Sequence, residues 1–392
     1  MSTQTRGNGR GRKRAVVAAS LALTGGLLGV PASAVSGGTE VPIGTYTFVA
    51  KLTSAKAACT GALVDPQWVV TAASCFPDSP GGGIPQAATS VLVGDANAGT
   101  GVGRSASVVK LVRRVDRDVM LTKLDVPVVD AATVAIASSP LVAGELLRVA
   151  GFGRTASTWA PDRPHTAQFT VNSVSATTAA IEGVDGVDTC KGDAGGPALR
   201  VAEATTLVAV NSTTWQRGCL KTVGTRAGST EARVDDLADW IAQAVREPSK
   251  LVNDLSGWCL DQEYPQGADK PGTNKVGAWE CNTGGNQAWA VEWVAADTAR
   301  FVNRQSGLCL DQEYPQGVDG PATRQIGAWG CNGQRNQQWY VQGTPGRAVV
   351  LVNKQSGWCL DQEYPQGPQG SATHIVASWN CNGQRNQQWQ VS

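Results

Sequence analysis

The nonapeptide Cys-Leu-Asp-Gln-Glu-Tyr-Pro-Gln-Gly occurs at residues 259–267, again at 309–317 and again at 359–367. Each copy begins 50 residues after the last. A second block keeps the same step: Asn286-Gln287-Ala288-Trp289, Asn336-Gln337-Gln338-Trp339 and Asn386-Gln387-Gln388-Trp389. Two cysteines stand 22 residues apart in each copy, as Cys259/Cys281, Cys309/Cys331 and Cys359/Cys381. Pairing inside each repeat is the simplest connectivity. One such unit cannot bury its apolar face alone, so three must pack together. Nine of the 13 tryptophans lie in this region, which sets it apart from the rest of the chain.

Outside the repeats, length and charge narrow the choices. A chain of 392 residues predicts two or three domains. Charged residues make up 17% and hydrophobics 42%, a globular composition. The net charge is +1, but residues 1–34 hold five basic groups and no acid. The remainder has 28 basic against 32 acidic residues, with no basic stripe to collect phosphates. Nucleic acid is therefore not an expected partner. The ten cysteines include no Cys-x-x-Cys pair, which favours disulfides in an oxidising compartment over redox or zinc chemistry. No cofactor or metal is implied. Residues 1–34 read as an export signal: a basic stretch to Arg14, an apolar run over 15–30, then Ala32-Ser33-Ala34 as a cleavage site. The alternative is a membrane anchor, for which 16 residues containing Gly-Gly are short. A secreted protein, with no membrane span after cleavage, is the expectation.

Residues 35–245 hold short Val/Thr/Ala-rich runs broken by Gly, Pro and Asp, including 46–52, 68–71, 91–93 and 147–150. These predict strands of an all-β domain. Val234, Leu237, Ile241 and Val245 recur at helical spacing, and a helix is expected over 234–245. A short linker follows, placed at 247–250, too short to separate two domains widely.

Five stretches then carry a resemblance. They are Val35-Ser36-Gly37-Gly38-Thr39-Glu40, Cys59-Thr60-Gly61-Ala62-Leu63, Trp68-Val69-Val70-Thr71-Ala72-Ala73-Ser74-Cys75, Asp118-Val119-Met120-Leu121 and Cys190-Lys191-Gly192-Asp193-Ala194-Gly195-Gly196-Pro197. In order and spacing the segment 35–246 resembles the trypsin/chymotrypsin-like serine proteases. The resemblance implies a double β-barrel. That chemistry needs a hydroxyl nucleophile, an imidazole base and a carboxylate behind the imidazole. At the matching positions stand Ser74 for the histidine, Asp118 for the aspartate and Ala194 for the serine. Serine is no general base near pH 7, and alanine has no nucleophile. Asp118 is then expected as a buried acceptor, with Ser74 a candidate donor. The only histidines are His165, expected on a surface loop, and His374, among the repeats.

The resemblance implies further parts. Gly192 and Ala194 would offer backbone N–H groups as an oxyanion hole. Cleavage after Ala34 would free the amino group of Val35 to pair with Asp193. Cys59–Cys75 and Cys190–Cys219 would be bridges. Asp188 falls where trypsin-like members select Arg or Lys. Gln216 and Thr222 stand where pocket-wall glycines are expected, which would narrow or close the pocket.

The repeats, over 251–392, resemble the ricin-B-type β-trefoil lectins through Cys-Leu-Asp, Trp-x-Cys and Asn-Gln-x-Trp. The resemblance implies that Trp289, Trp339 and Trp389 build the core. It implies sugar contacts for Asp261, Asp311 and Asp361 and for Asn286, Asn336 and Asn386. Exposed carboxylates there would accept from sugar hydroxyls. The aromatic face is supplied by Tyr264, Tyr314 and Tyr364 or by Trp279, Trp329 and Trp379, and both sets stay open. Gly277, Gly327 and Ala377 replace a glutamine common in the family. Three weak sites would add avidity on a polymeric glycan.

Three functions are compatible with these residues. The first is a secreted carbohydrate-binding protein with a catalytically dead protease-like domain, anchored to galactose-type or polysaccharide glycans. The second is an active trypsin-like endopeptidase carrying a glycan-binding module. The third is a binder that holds a basic peptide or protein at the former active-site cleft without cutting it.

Overall fold

The computed structural model describes residues 35–94, 103–202, 204–264, 273–315, 317, 320, 322–343, 347–367 and 369–391. The expected export signal at 1–34 lies outside them.

Six strands form the first closed barrel: β1 Val49–Ser54, β2 Ala58–Asp65, β3 Trp68–Thr71, β4 Thr89–Val93, β5 Arg104–Arg114 and β6 Val119–Leu124. They close in the order β1-β2-β3-β6-β5-β4, with β4 returning to β1. Six more repeat that order: β7 Leu146–Gly151, β8 His165–Val174, β9 Thr178–Gly183, β10 Pro197–Val201, β11 Thr205–Thr214 and β12 Ser229–Arg233. They close as β7-β8-β9-β12-β11-β10, with β10 returning to β7. Valine and leucine at alternate positions fill each interior, as in β4, where Val91 and Val93 point in and Ser90 points out.

The expected strand 46–52 starts later, at Val49, because Tyr46 takes a positive φ of 51° that no strand accepts. The other three expected strands are present. The helix α1 is shorter than expected, Ala238–Val245. Val234 and Leu237 are buried but precede it in a turn, and with Ile241 they pack against the first barrel's core. His165 is buried at the start of β8, not on a surface loop, since its strand pairs on both sides.

The repeats form a third barrel with three capping hairpins. Each repeat supplies four strands: β13 Leu251–Asn253, β14 Cys259–Gln262, β15 Val276–Trp279 and β16 Trp289–Ala295; β17 Thr298–Asn303, β18 Cys309–Gln312, β19 Ile326–Trp329 and β20 Trp339–Gln342; β21 Ala348–Asn353, β22 Cys359–Gln362, β23 Val376–Trp379 and β24 Gln388–Val391. The barrel runs β16-β17-β20-β21-β24-β13, and a Ser249–Trp289 bridge closes it. Ser249, expected in the linker, is thus already part of this barrel. The hairpins β14–β15, β18–β19 and β22–β23 touch through bridges Lys275–Gly327, Gln325–Ala377 and Gly277–Ile375.

Trp289, Trp339 and Trp389 are fully buried, and each indole N–H donates to a carbonyl, of Leu260, Leu310 and Leu360. That satisfies the one polar atom of a large apolar group. A cyclic lock joins the repeats: Ser306, Ser356 and Ser256 each donate at 2.6 Å to a fully buried glutamine of another repeat, Gln262, Gln312 and Gln362. All five expected disulfides are formed: Cys59–Cys75, Cys190–Cys219, Cys259–Cys281, Cys309–Cys331 and Cys359–Cys381. As expected from the short linker, the domains touch. Trp293 Nε1 donates to Gln67 Oε1 at 2.8 Å, and Lys110 pairs with Glu247. Among the described residues no helix is long and apolar enough to cross a membrane.

Candidate functional site

The loop after β3 carries Ser74, and the turn before β6 carries Asp118. Pairing of β3 with β6 brings them together. Asp118 Oδ1 accepts from the Ser74 backbone N–H at 2.7 Å, and Oδ2 accepts from Ser74 Oγ at 3.0 Å. Ser212 on β11 adds a third bond, its Oγ donating to Oδ2 at 2.8 Å. Asp118 is half-buried rather than buried, because exposed Ser74 leaves it partly open. Ala194 joins this group: its carbonyl accepts from Thr60 N at 2.9 Å and lies 3.7 Å from Cys75 Sγ. Neither histidine contacts Asp118 or Ala194 among the described contacts. His165 Nδ1 meets Arg163 O, and His374 lies in the trefoil. No imidazole lies beside Asp118 among the described contacts, and Ala194 carries only a methyl group where the resemblance places the nucleophile.

Among the described residues the N–H groups of Gly192 and Ala194 have no protein acceptor. The Gly192 carbonyl accepts from Thr60 Oγ1, which in turn accepts from Phe152 N. Asp193 is fully buried and accepts from Cys190 N and Gly153 N, both at 2.8 Å. Gly153 must be glycine, since a Cβ there would lie 2.4 Å from the Asp193 carboxyl carbon. Burial pushes the Asp193 carboxyl up to about 7, against those two N–H donors. Val35 is buried in the second barrel's core, but with residue 34 attached it offers no ammonium. Asp193 accordingly has no ion-pair partner among the described residues.

A second buried acid accompanies it. Glu231, which the sequence reading missed, accepts from Asn211 Nδ2 at 2.8 Å and is raised to about 7 by burial, with Asp193 adding repulsion. Ser212 and Glu231 were not legible because both look like ordinary strand residues.

At the expected specificity pocket, Gln216 and Thr222 both accept from Arg154 Nη2, and Gln216 sits at a strained φ of 59°. Asp188 accepts from the N–H of Gly228, at 3.1 Å, and from the N–H of Thr189, at 2.9 Å. Arg217 Nε lies 3.9 Å from Asp188 Oδ2, so the chain's own guanidinium faces the buried acid. Burial raises the Asp188 carboxyl, and the N–H donors and Arg217 oppose that.

In the trefoil the three aspartates are buried, 5%, 5% and 7% exposed for Asp261, Asp311 and Asp361, where exposed groups were expected. The reason is a pair of amides. Asn286 and Gln287 both donate to Asp261 Oδ2 at 2.8 Å. Asn336 and Gln337 do the same to Asp311 at 2.9 Å, and Asn386 and Gln387 to Asp361 at 3.0 and 2.8 Å. The asparagines thus hold the acid. Oδ1 of each aspartate accepts from no described residue. Burial raises all three carboxyls, to about 6 for Asp311 and Asp361, against the amide donors.

Trp279, Trp329 and Trp379 end the second strand of each hairpin and stay 42%, 47% and 39% exposed. Tyr264, Tyr314 and Tyr364 are half-buried. Strand register puts Asp261 opposite Gly277 and Cys259 opposite Trp279, so acid and indole share a face. One further group was missed. Glu313 Oε1 lies 3.1 Å from the point where a Cβ on Gly327 would be, and Glu263 Oε1 3.5 Å from that point on Gly277. The spacing of these glutamates, two residues after the aspartate, was the available signal.

Comparison with known proteins agrees with this geometry. The trypsin family model matches residues 35–241, and the model of the ricin-type β-trefoil lectin domain matches 247–389. Among similar curated proteins is the snake venom serine protease Haly-2 of Gloydius brevicauda, 32% identical over 162 residues, 36% of this chain and 62% of its own length. Another is the inactive snake venom serine proteinase 13 of Crotalus adamanteus, 31% identical over 198 residues, 42% of this chain and 71% of its own. A third is a protein C activator of Agkistrodon piscivorus leucostoma, 28% identical over 230 residues, 54% of this chain and 87% of its own. The chain belongs to the trypsin family, with a ricin-type β-trefoil lectin domain joined to the C-terminal side of its trypsin-like domain.

Proposed function

We propose that this is a secreted carbohydrate-binding protein whose trypsin-like domain does not hydrolyse peptides. Residues 1–34 are its export signal, 35–246 the pseudo-protease and 251–392 the lectin, with a connection at 247–250 whose Ser249 already joins the lectin barrel. The observation that carries the first half is Asp118: its carboxylate is bonded to Ser74 and Ser212, with Ala194 where a nucleophile would stand. The inactive venom relative supports the reading, since this fold persists without turnover there. Three indoles beside half-free carboxylates support the second half. Carboxylate oxygens accept from hydroxyls, and the indole face takes the apolar face of a galactose-type pyranose.

Arg217 argues against a basic peptide ligand, because it already faces Asp188. A scaffold role for the first domain fits better. The test is passage over immobilised lactose and over xylan. Retention on either, released by the free sugar, supports the lectin. Flow-through on both contradicts it.

A further inference from the structure

The three sugar sites look identical in their own residues, yet each is finished by a residue from another repeat. His374, Asn274 and Arg324 occupy equivalent positions, 50 residues apart. Their carbonyls make the same bond, accepting from Ala278 N at 2.9 Å, Ala328 N at 2.8 Å and Ser378 N at 2.8 Å. The backbone therefore delivers each side chain to the same place: His374 to the first repeat, Asn274 to the second and Arg324 to the third.

Their side chains differ. The His374 ring stacks on Trp279, centroids 3.7 Å apart and planes 15° apart, and is backed by Trp258 at 4.7 Å. Its Nδ1 carries the proton, because the partner at 2.8 Å is the Ala278 carbonyl. Arg324 Cζ lies 3.4 Å over the Trp379 ring. In the second repeat Asn274 makes no ring or cation contact with Trp329 among the described residues, and Leu308 stands where Trp258 stands in the first. Indole exposure follows the cover: 47% for Trp329, 42% for Trp279 and 39% for Trp379.

We propose that the sites are unequal, that the second-repeat site around Trp329 is the principal one for neutral sugars, and that His374 and Arg324 act as built-in occupants of the other two platforms. This rests on the lectin reading above. A pyranose stacking on Trp379 must displace a guanidinium held by cation–π attraction, which weakens it about threefold.

The experiment uses full-length chains that each keep one platform: Trp279→Ala/Trp379→Ala, Trp329→Ala/Trp379→Ala and Trp279→Ala/Trp329→Ala. Each is titrated with lactose and with xylotriose by calorimetry. Because these indoles are exposed, the fold should survive, and circular dichroism checks it. The expected result is tightest binding by the chain keeping Trp329. Arg324→Ala added to the chain keeping Trp379 should recover about threefold. Equal dissociation constants in the three chains, or no gain from Arg324→Ala, overturn the inference while leaving the lectin standing. No binding of either sugar by the unaltered protein overturns both.

Discussion

Asp118 keeps the place of a carboxylate that would orient an imidazole, and a serine hydroxyl takes the imidazole's bond. The polar group stays satisfied, so the fold does not depend on an imidazole at that position. Asp193 carries a different consequence. Its carboxyl, raised to about 7 by burial, favours the folded state while protonated. With residues 1–34 attached, that stability is present below the unfolded value near 4 and is lost as pH rises through about 7, by on the order of 4 kcal/mol. In a chain starting at Val35, a free ammonium offsets the loss. Repulsion from Asp193 contributes to the raised Glu231 carboxyl, so Glu231 shares in the difference between the two forms. Melting curves from pH 4 to 8 should diverge progressively as pH rises from about 4 to about 7, the shorter chain being more stable; superimposable curves would remove the Val35–Asp193 pair from the account. A second titration belongs to Asp311 and Asp361, raised to about 6. Sugar binding at those repeats needs the ionised acceptor, so calorimetric affinity should fall as pH drops from 7 to 5. A flat profile would mean that the carboxylates do not touch the ligand.

At the scale of elements, most of what the sequence offered was the spacing of apolar and small residues, and it located strands better than it located contacts. Val91 and Val93 mark β4 by alternation alone. Tyr46 was misplaced because a single positive φ is invisible in a pattern of apolar residues. The bonds of Gln216 and Thr222 to Arg154 were invisible for a related reason: they join residues far apart in the sequence. In the trefoil the repeat placed Asp261, Asp311 and Asp361 correctly in sequence. It could not reveal their burial, which comes from two amides folding over each. The repeat hairpins also make a stability prediction. Cys309–Cys331 ties β18 to the loop after β19 across 22 residues, and replacing both with alanine should cost about 3 kcal/mol in urea unfolding. A loss under about 1 kcal/mol would mean that the buried tryptophan and the Ser356–Gln312 lock already hold that repeat.

Across the whole molecule, two domains with separate cores meet through Trp293–Gln67 and Lys110–Glu247, around a cleft of about 760 Å³. Both fold types were legible before any coordinates, because each rests on motifs whose residue types are dictated by turns, disulfides and core packing. The wiring between repeats was not, since His374 and Arg324 act on indoles nearly 100 residues away or 55 residues on. The central claim is that the first domain keeps the protease frame and lacks its reaction. The most direct test incubates the protein, cleaved to begin at Val35, with casein and with Arg and Lys peptide substrates. A Ser74→His/Ala194→Ser double variant runs beside it. The account predicts no cleavage by the unaltered protein at any enzyme concentration that leaves the variant measurable. Hydrolysis by the unaltered protein, abolished by a serine-directed covalent inhibitor, would contradict it.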